Sequence, residues 1–136
     1  MRSLSVRNLT RSKIPALALF EKARLAGLSS WDISLVFVGP ARAKALNMSL
    51  RDKTYTPNVL SYAVGTRSGE IIICPDVAKA QAPLHGHSTH DFILSLFIHG
   101  LFHLKGMRHG TTMEKSERAT LARVLGTNHR RRMSAS

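Results

Sequence analysis

Three of the seven histidines stand at a spacing that could do chemistry: His99-Gly-Leu-Phe-His103-Leu-Lys-Gly-Met-Arg-His109. Residues four apart share one face of a helix, so His99 and His103 can point the same way. Gly106 then ends the helix and lets the chain fold back, bringing His109 to the same point. Three neutral imidazoles around one cation leave a tetrahedral position open, the layout of a catalytic zinc site rather than a closed structural one. Zinc lowers the pKa of its bound water to about 7, which supplies a nucleophile at neutral pH. The competing account is a pair of ordinary helical histidines, one on the surface and one satisfied in the core. The third histidine, after a glycine break on an otherwise apolar helix, favours the metal. Metalloproteases of the H-E-x-x-H type place a Glu directly after the first His as general base. Here that position is Gly100, which counts against a peptidase.

Other candidates carry less. His85, His87 and His90 cluster just before the metal-binding stretch, but no acid or thiol stands among them in the loop, and they read as structural. Ser61 could be imagined as a nucleophile beside a histidine. No G-x-S-x-G elbow surrounds it and no nearby acid orients a histidine, so a structural serine, bonding substrate or backbone, is the better reading. Met107, Met113 and Met133 read as packing. Cys74 is the single cysteine, which excludes an internal disulfide or a thiolate metal cluster and suits a reducing compartment.

Charge narrows the partner. Twenty Lys and Arg stand against eight Asp and Glu, a formal net charge of +12 over 136 residues. Such a chain attracts polyanions, and nucleic acid is the natural one. No apolar run approaches the ~20 residues needed to span a bilayer, so no membrane partner is expected. The N-terminus carries Arg2, Arg7 and Arg11 with no acid before Glu21, which a transit peptide would also do. Leu4, Val6 and Leu9 favour a first strand instead, and with it a mature start and a cytoplasmic protein.

The elements that must position the histidines follow from periodicity and breakers. Residues 3–9 predict a short edge strand. From Ile14 to Ala26 the apolar residues Ile14, Leu17, Ala18, Leu25 and Ala26 recur at helical spacing, with Gly27 as C-cap. Asp32 to Val38 is β-rich and ends at Gly39-Pro40. Ala41 to Leu50 is helix-forming. Val59 to Val64 and Glu70 to Cys74 are strand-like, with Arg67-Ser68-Gly69 able to turn a hairpin between them. Pro83 to His87 reads as a loop. Ser88 or Thr89 can cap a long helix through Phe92 to Leu104, stopped by Gly106. Met113 to Leu125 predicts a last helix, opened by Thr111 or Thr112 with Glu114 near its start. The order βαβαββαα implies an α+β single domain, a small mixed β-sheet packed with helices, over residues 1–128. Residues 129–136, with Arg130, Arg131 and Arg132, read as a basic flexible tail.

The run His99-Gly100-x-x-His103-Leu104-x-Gly106-x-x-His109 resembles the signature of the YbeY family of bacterial endoribonucleases. Two further blocks agree: Leu46-Asn47-x-x-x-Arg51-x-Lys53 with Val59-Leu60-Ser61-Tyr62, and Gly69-Glu70-Ile71-Ile72-Ile73-Cys74 followed by Gly86-His87-Ser88. The likeness is clearest over residues 46–114. It implies a zincin-like metallohydrolase: a single-strand-specific, zinc-dependent RNA endonuclease with one zinc per chain. It would act on rRNA beside the small ribosomal subunit and its proteins, in 3′-end maturation of small-subunit rRNA and ribosome quality control. The resemblance makes His99, His103 and His109 the zinc ligands and Arg51 the phosphate-binding arginine of the catalytic set. Arginine suits that role, since its fork grips phosphate bidentately. The sequence also departs from the family: Arg108 stands where an Asp is common, Pro57-Asn58 replace Thr-Asp, Leu50 replaces Tyr, and Tyr62 replaces Phe. Losing two carboxylates removes candidate partners for orienting imidazoles, and Asn58 cannot act as a base. Two other functions stay open: a non-catalytic rRNA-binding assembly factor with a structural zinc, and a zinc hydrolase of peptides or small molecules.

Overall fold

Helix α4 (Thr89–Leu104) is the element on which the rest is built, and its sequence explains why. Ten of its sixteen residues are buried, among them Phe92, Ile93, Leu94, Phe97, Ile98 and Leu101. A helix apolar nearly all round belongs inside a protein. Along its middle only one stripe stays open, Ser95, His99 and His103, each four residues from the last. Ser88 caps its N-terminus, its side chain accepting from the Asp91 backbone N–H. At the other end Lys105 is the C-cap, Gly106 takes φ 93°, and the backbone N–H groups of Gly106 and Met107 bond to the carbonyls of His103 and Phe102.

This computed structural model describes residues 3–135, with side chains through Gly126. The sheet has the order β1-β2-β4-β3, from β1 (Leu4–Asn8), β2 (Asp32–Phe37), β3 (Val59–Gly65) and β4 (Ser68–Ile73). β1 and β4 run parallel to β2, and β3 pairs antiparallel with β4, so the sheet is mixed as expected. On one face Ile33, Leu35, Phe37, Ile71 and Ile73 pack with α4, α1 (Leu17–Gly27) and the start of α5 (Thr111–Ala135). Phe20 of α1 meets the Phe97 ring edge-on at 5.2 Å and Phe37 at 5.8 Å. On the other face Val38, Leu60, Ile72 and Cys74 pack against α2 (Pro40–Arg51) through Ala43 and Leu46. Strand β4 is therefore covered on both sides, which its unbroken Ile-Ile-Ile run fits.

Several expectations are corrected. α1 begins at Leu17, beyond Pro15, and buries a different stripe from the one expected: Phe20, Ala23, Arg24 and Gly27 face the core, while Leu17 and Leu25 are more than half exposed. Arg24 can be buried because its guanidinium donates to the Ser29 and Trp31 carbonyls at 3.1 Å and pairs with Glu21. Gly27 is not the cap; Leu28 is, and Gly27 instead brings α1 against Leu101. The hairpin turns at Thr66 and Arg67, with Arg67 at φ 56°, one residue earlier than expected, and the ladder shifts register between Ala63 and Gly65. A short helix α3 (Pro75–Gln81) was not anticipated; Pro75 opens it, a position where proline's missing N–H costs nothing. A 3-10 turn (Ala82–His85) stands in the expected loop. α5 is broken at Gly126 (φ 74°), and the side chains of Arg130, Arg131, Arg132 and Met133 lie outside the described residues. Among the described residues no helix is long and apolar enough to cross a membrane.

Two glycines set how closely α4 lies on β4. A Cβ on Gly100 would sit 3.1–3.3 Å from three side-chain atoms of fully buried Ile71, and one on Gly69 would sit 2.6 Å from Leu104 Cδ1. Gly100→Ala should therefore lose stability. Overpacking costs about 1–3 kcal/mol, against about 1 kcal/mol gained in helix propensity. Urea midpoints should show a net loss, and adding Ile71→Val, which removes the nearest atom, should cost less than the sum of the two single changes.

Candidate functional site

Three segments meet around one cavity of about 300 Å³. The open stripe of α4 supplies His99 and His103; the turn after Gly106 supplies His109. The end of α2 supplies Arg51, and the following segment contributes Tyr55, Pro57, Asn58 and the β3 residues Val59, Leu60 and Ser61. All four residues expected from the sequence, Arg51, His99, His103 and His109, line this one cavity.

The His109 ring lies 5.0 Å from that of His99 and 6.0 Å from that of His103, centre to centre. Two imidazoles on one tetrahedral zinc, each bound at about 2.0–2.1 Å, have centres about 5 Å apart. The first pair meets that spacing and the second is wider. Among the described residues no group of three His, Cys, Asp or Glu is drawn close enough to be a closed ligand set as it stands. The donor chemistry nevertheless fits a borderline cation. His99 Nδ1 is 2.6 Å from Glu117 Oε1 on α5, and His103 Nδ1 is 3.0 Å from Ser61 Oγ on β3. Holding one ring nitrogen by a protein group and leaving the other open is how ligating histidines are set.

The surroundings of His103 favour its neutral form. Its pKa is lowered, first by burial of the ring and then by the neighbouring His109, His99 and Arg51. A neutral imidazole is the form that ligates. Arg51 is exposed, and its Nη1 donates to Tyr55 Oη at 3.1 Å, leaving the rest of its fork open. The Tyr55 carbonyl accepts from the side chain of fully buried Asn47 at 2.9 Å, so the segment after α2 is anchored to the helix. Asn58 donates to Gln81 Oε1 at 2.8 Å.

Gly100 faces Ile71 in the sheet, with no room there for a base of any kind. Ser61 meets His103, but the carboxylate meets His99, so serine, histidine and acid do not form one relay. Arg108 is exposed and does not line the cavity. His85 and His87 stack on Phe92 at 4.8 and 6.2 Å, and His90 Nδ1 lies 2.9 Å from Asp91 Oδ1, away from the cavity. They shape the entry to α4. Sequence reasoning missed Glu117 and Tyr55, and missed Ser61 as the partner of His103. For Glu117 one signal existed: only two acids, Glu114 and Glu117, follow Asp91 in the chain. Any carboxylate supporting His109's neighbours from the C-terminal side had to be one of them.

Comparison with known proteins agrees with this architecture. The family model described as endoribonuclease YbeY matches residues 4–126. The chain is 31% identical over 131 residues to the endoribonuclease YbeY of Aromatoleum aromaticum, covering 93% of this chain and 84% of that one. It is 34% identical over 127 residues to the endoribonuclease YbeY of an Arthrobacter strain, covering 84% and 81%. The solution structure of a Thermotoga maritima protein shares the fold with a TM-score of 0.65 at 18% identity, over 98% of this chain and 95% of that one. With a family match running from β1 to the break in α5, the chain belongs to the endoribonuclease YbeY family.

Proposed function

We propose that this chain is a zinc-dependent endoribonuclease that cleaves single-stranded RNA, and that in the cytoplasm it matures the 3′ end of small-subunit rRNA and serves ribosome quality control alongside the small subunit. The observation that carries the reading is the convergence of His99, His103, His109 and Arg51 on one cavity in a chain of net charge +12. The histidines would hold the ion, with His99 and His103 presenting the nitrogen that Glu117 and Ser61 leave open. A zinc ion held there supplies Lewis-acid polarisation of a phosphoryl oxygen and a nucleophile available at neutral pH. Arg51, braced by Tyr55, grips the phosphate and offsets charge developing on its oxygens. Tyr55 stands about half exposed at the cavity, where a ring can stack on an unpaired base. That supports a single strand as substrate, since bases within a duplex are already stacked on each other.

Metal content measured by mass spectrometry on the untagged protein should give about one zinc per chain, lost in His99→Ala/His103→Ala. The same preparation should cut a single-stranded RNA oligonucleotide and spare its duplex. Zinc binding and RNA binding without any cleavage would replace this reading with a non-catalytic assembly factor; no metal uptake at all would remove the hydrolase altogether. Arg51→Ala should lower kcat by about 10²–10³, the usual loss for one donor to a charged transition state. Zinc stoichiometry should be unchanged, and Arg51→Lys should recover only part of the rate, because an ammonium lacks the bidentate fork.

A further inference from the structure

We propose that Glu117 is a positioning residue that fixes the tautomer of His99 and so tunes the affinity of the histidine group for zinc; this rests on the metal-holding reading above. The contact is short, 2.6 Å from Nδ1 to Oε1, and both side chains are mostly buried. A carboxylate only accepts, so Nδ1 must carry the hydrogen, and the lone pair of the neutral ring is then on Nε2. The opposite tautomer would set a ring lone pair against carboxylate lone pairs at the same distance. His103 is held differently. Ser61 Oγ can donate or accept, so the hydroxyl locates the His103 ring without choosing its tautomer. His99 is therefore the one of the two helical imidazoles whose coordinating nitrogen is decided in advance.

Glu117 is placed to do this firmly. Met113, one helical turn earlier on the same face of α5, is buried in the core and anchors the helix beside α4. Among the described residues His99 is the only ion-pair partner of Glu117, in a chain with twenty Lys and Arg. A carboxylate left to a histidine amid so many cations is committed to that histidine. A carboxylate behind a ligating imidazole also fixes the direction in which the other nitrogen points.

The test uses the full chain as wild type, Glu117→Gln and Glu117→Ala. Long-range ¹⁵N–¹H spectra of the metal-free protein should give His99 as the Nδ1–H tautomer in wild type and in Glu117→Gln, whose amide oxygen still accepts. Glu117→Ala should give a mixture. Zinc affinity by chelator competition should fall about 10- to 100-fold in Glu117→Ala, the loss found when such partners are removed, with Glu117→Gln in between. An Nε2–H tautomer in wild type, or equal zinc affinity and unchanged spectra across the three proteins, would overturn the proposal. Should wild type take up no zinc, the metal reading falls on its own, and the tautomer spectra still decide the role of Glu117. Should Glu117→Ala fail to fold, the Gln variant carries the test: retained tautomer with weakened zinc binding supports it, and wild-type zinc affinity overturns it.

Discussion

Helix α4 presents no side chain of its own to strand β4 at Gly100, and the site depends on that close contact. Ile71 fills the space a Cβ on Gly100 would need. Ile71 is also the cross-strand partner of Ser61, and paired residues present their side chains on the same face of a sheet. The helix residue three positions beyond Gly100 is His103, one turn along, and its ring reaches the Ser61 hydroxyl at 3.0 Å. A helix held farther from the sheet would keep its apolar contacts loosely but would part His103 from Ser61. The distance between two core layers therefore fixes the position of an imidazole at the surface.

The second half of the site depends on a turn instead of a layer. Gly106 takes φ 93°, a conformation that costs a residue with a Cβ about 1 kcal/mol or more. The turn reverses the chain after α4, so that His109 comes back beside His99 and the next helix starts within reach of it. One segment thus delivers two groups, His109 to the cavity and Glu117 to the far side of the His99 ring. Met113 joins that segment to the same core that holds α4. Arg51 is less constrained: it comes from the opposite face of the sheet, at the exposed end of α2, with its side chain held by Tyr55, whose carbonyl Asn47 holds in turn.

Much of this was legible in the sequence, and the exceptions have physical causes. The α4 histidines could be read because helix period, Ser88 cap and glycine stop all agree on one element, and local agreement of that kind is what specifies structure. The buried face of α1 could not. Two stripes compete there, Leu17 with Leu25 and Phe20 with Ala23, and the winner includes Arg24, whose burial depends on loop carbonyls five and seven residues away. α3 was missed because seven residues are too few to show a period. Glu117 and Ser61 were missed as partners because each meets its histidine across a sequence distance, 18 and 42 residues, that no spacing rule spans. The four site residues were legible as types, while the groups that orient them required the fold.

The cavity's charge follows from the same arrangement. Burial of the ring first, and then His109, His99 and Arg51, make His103 harder to protonate. With Arg51 at its rim and a chain of net charge +12 around it, the cavity favours an anion entering from solvent. Among the described residues the carboxylate bonded to this group is Glu117, which meets His99 alone; it sits behind that ring and not in the cavity lining, so it offsets charge without repelling a phosphate. The position directly after His99, where a peptidase would carry its base, is closed off by Ile71. An interior that excludes a carboxylate from the open side and retains one on the protein side is built for an anionic substrate. Polypeptides offer no such charge at the bond to be cut, whereas every linkage of a nucleic acid does.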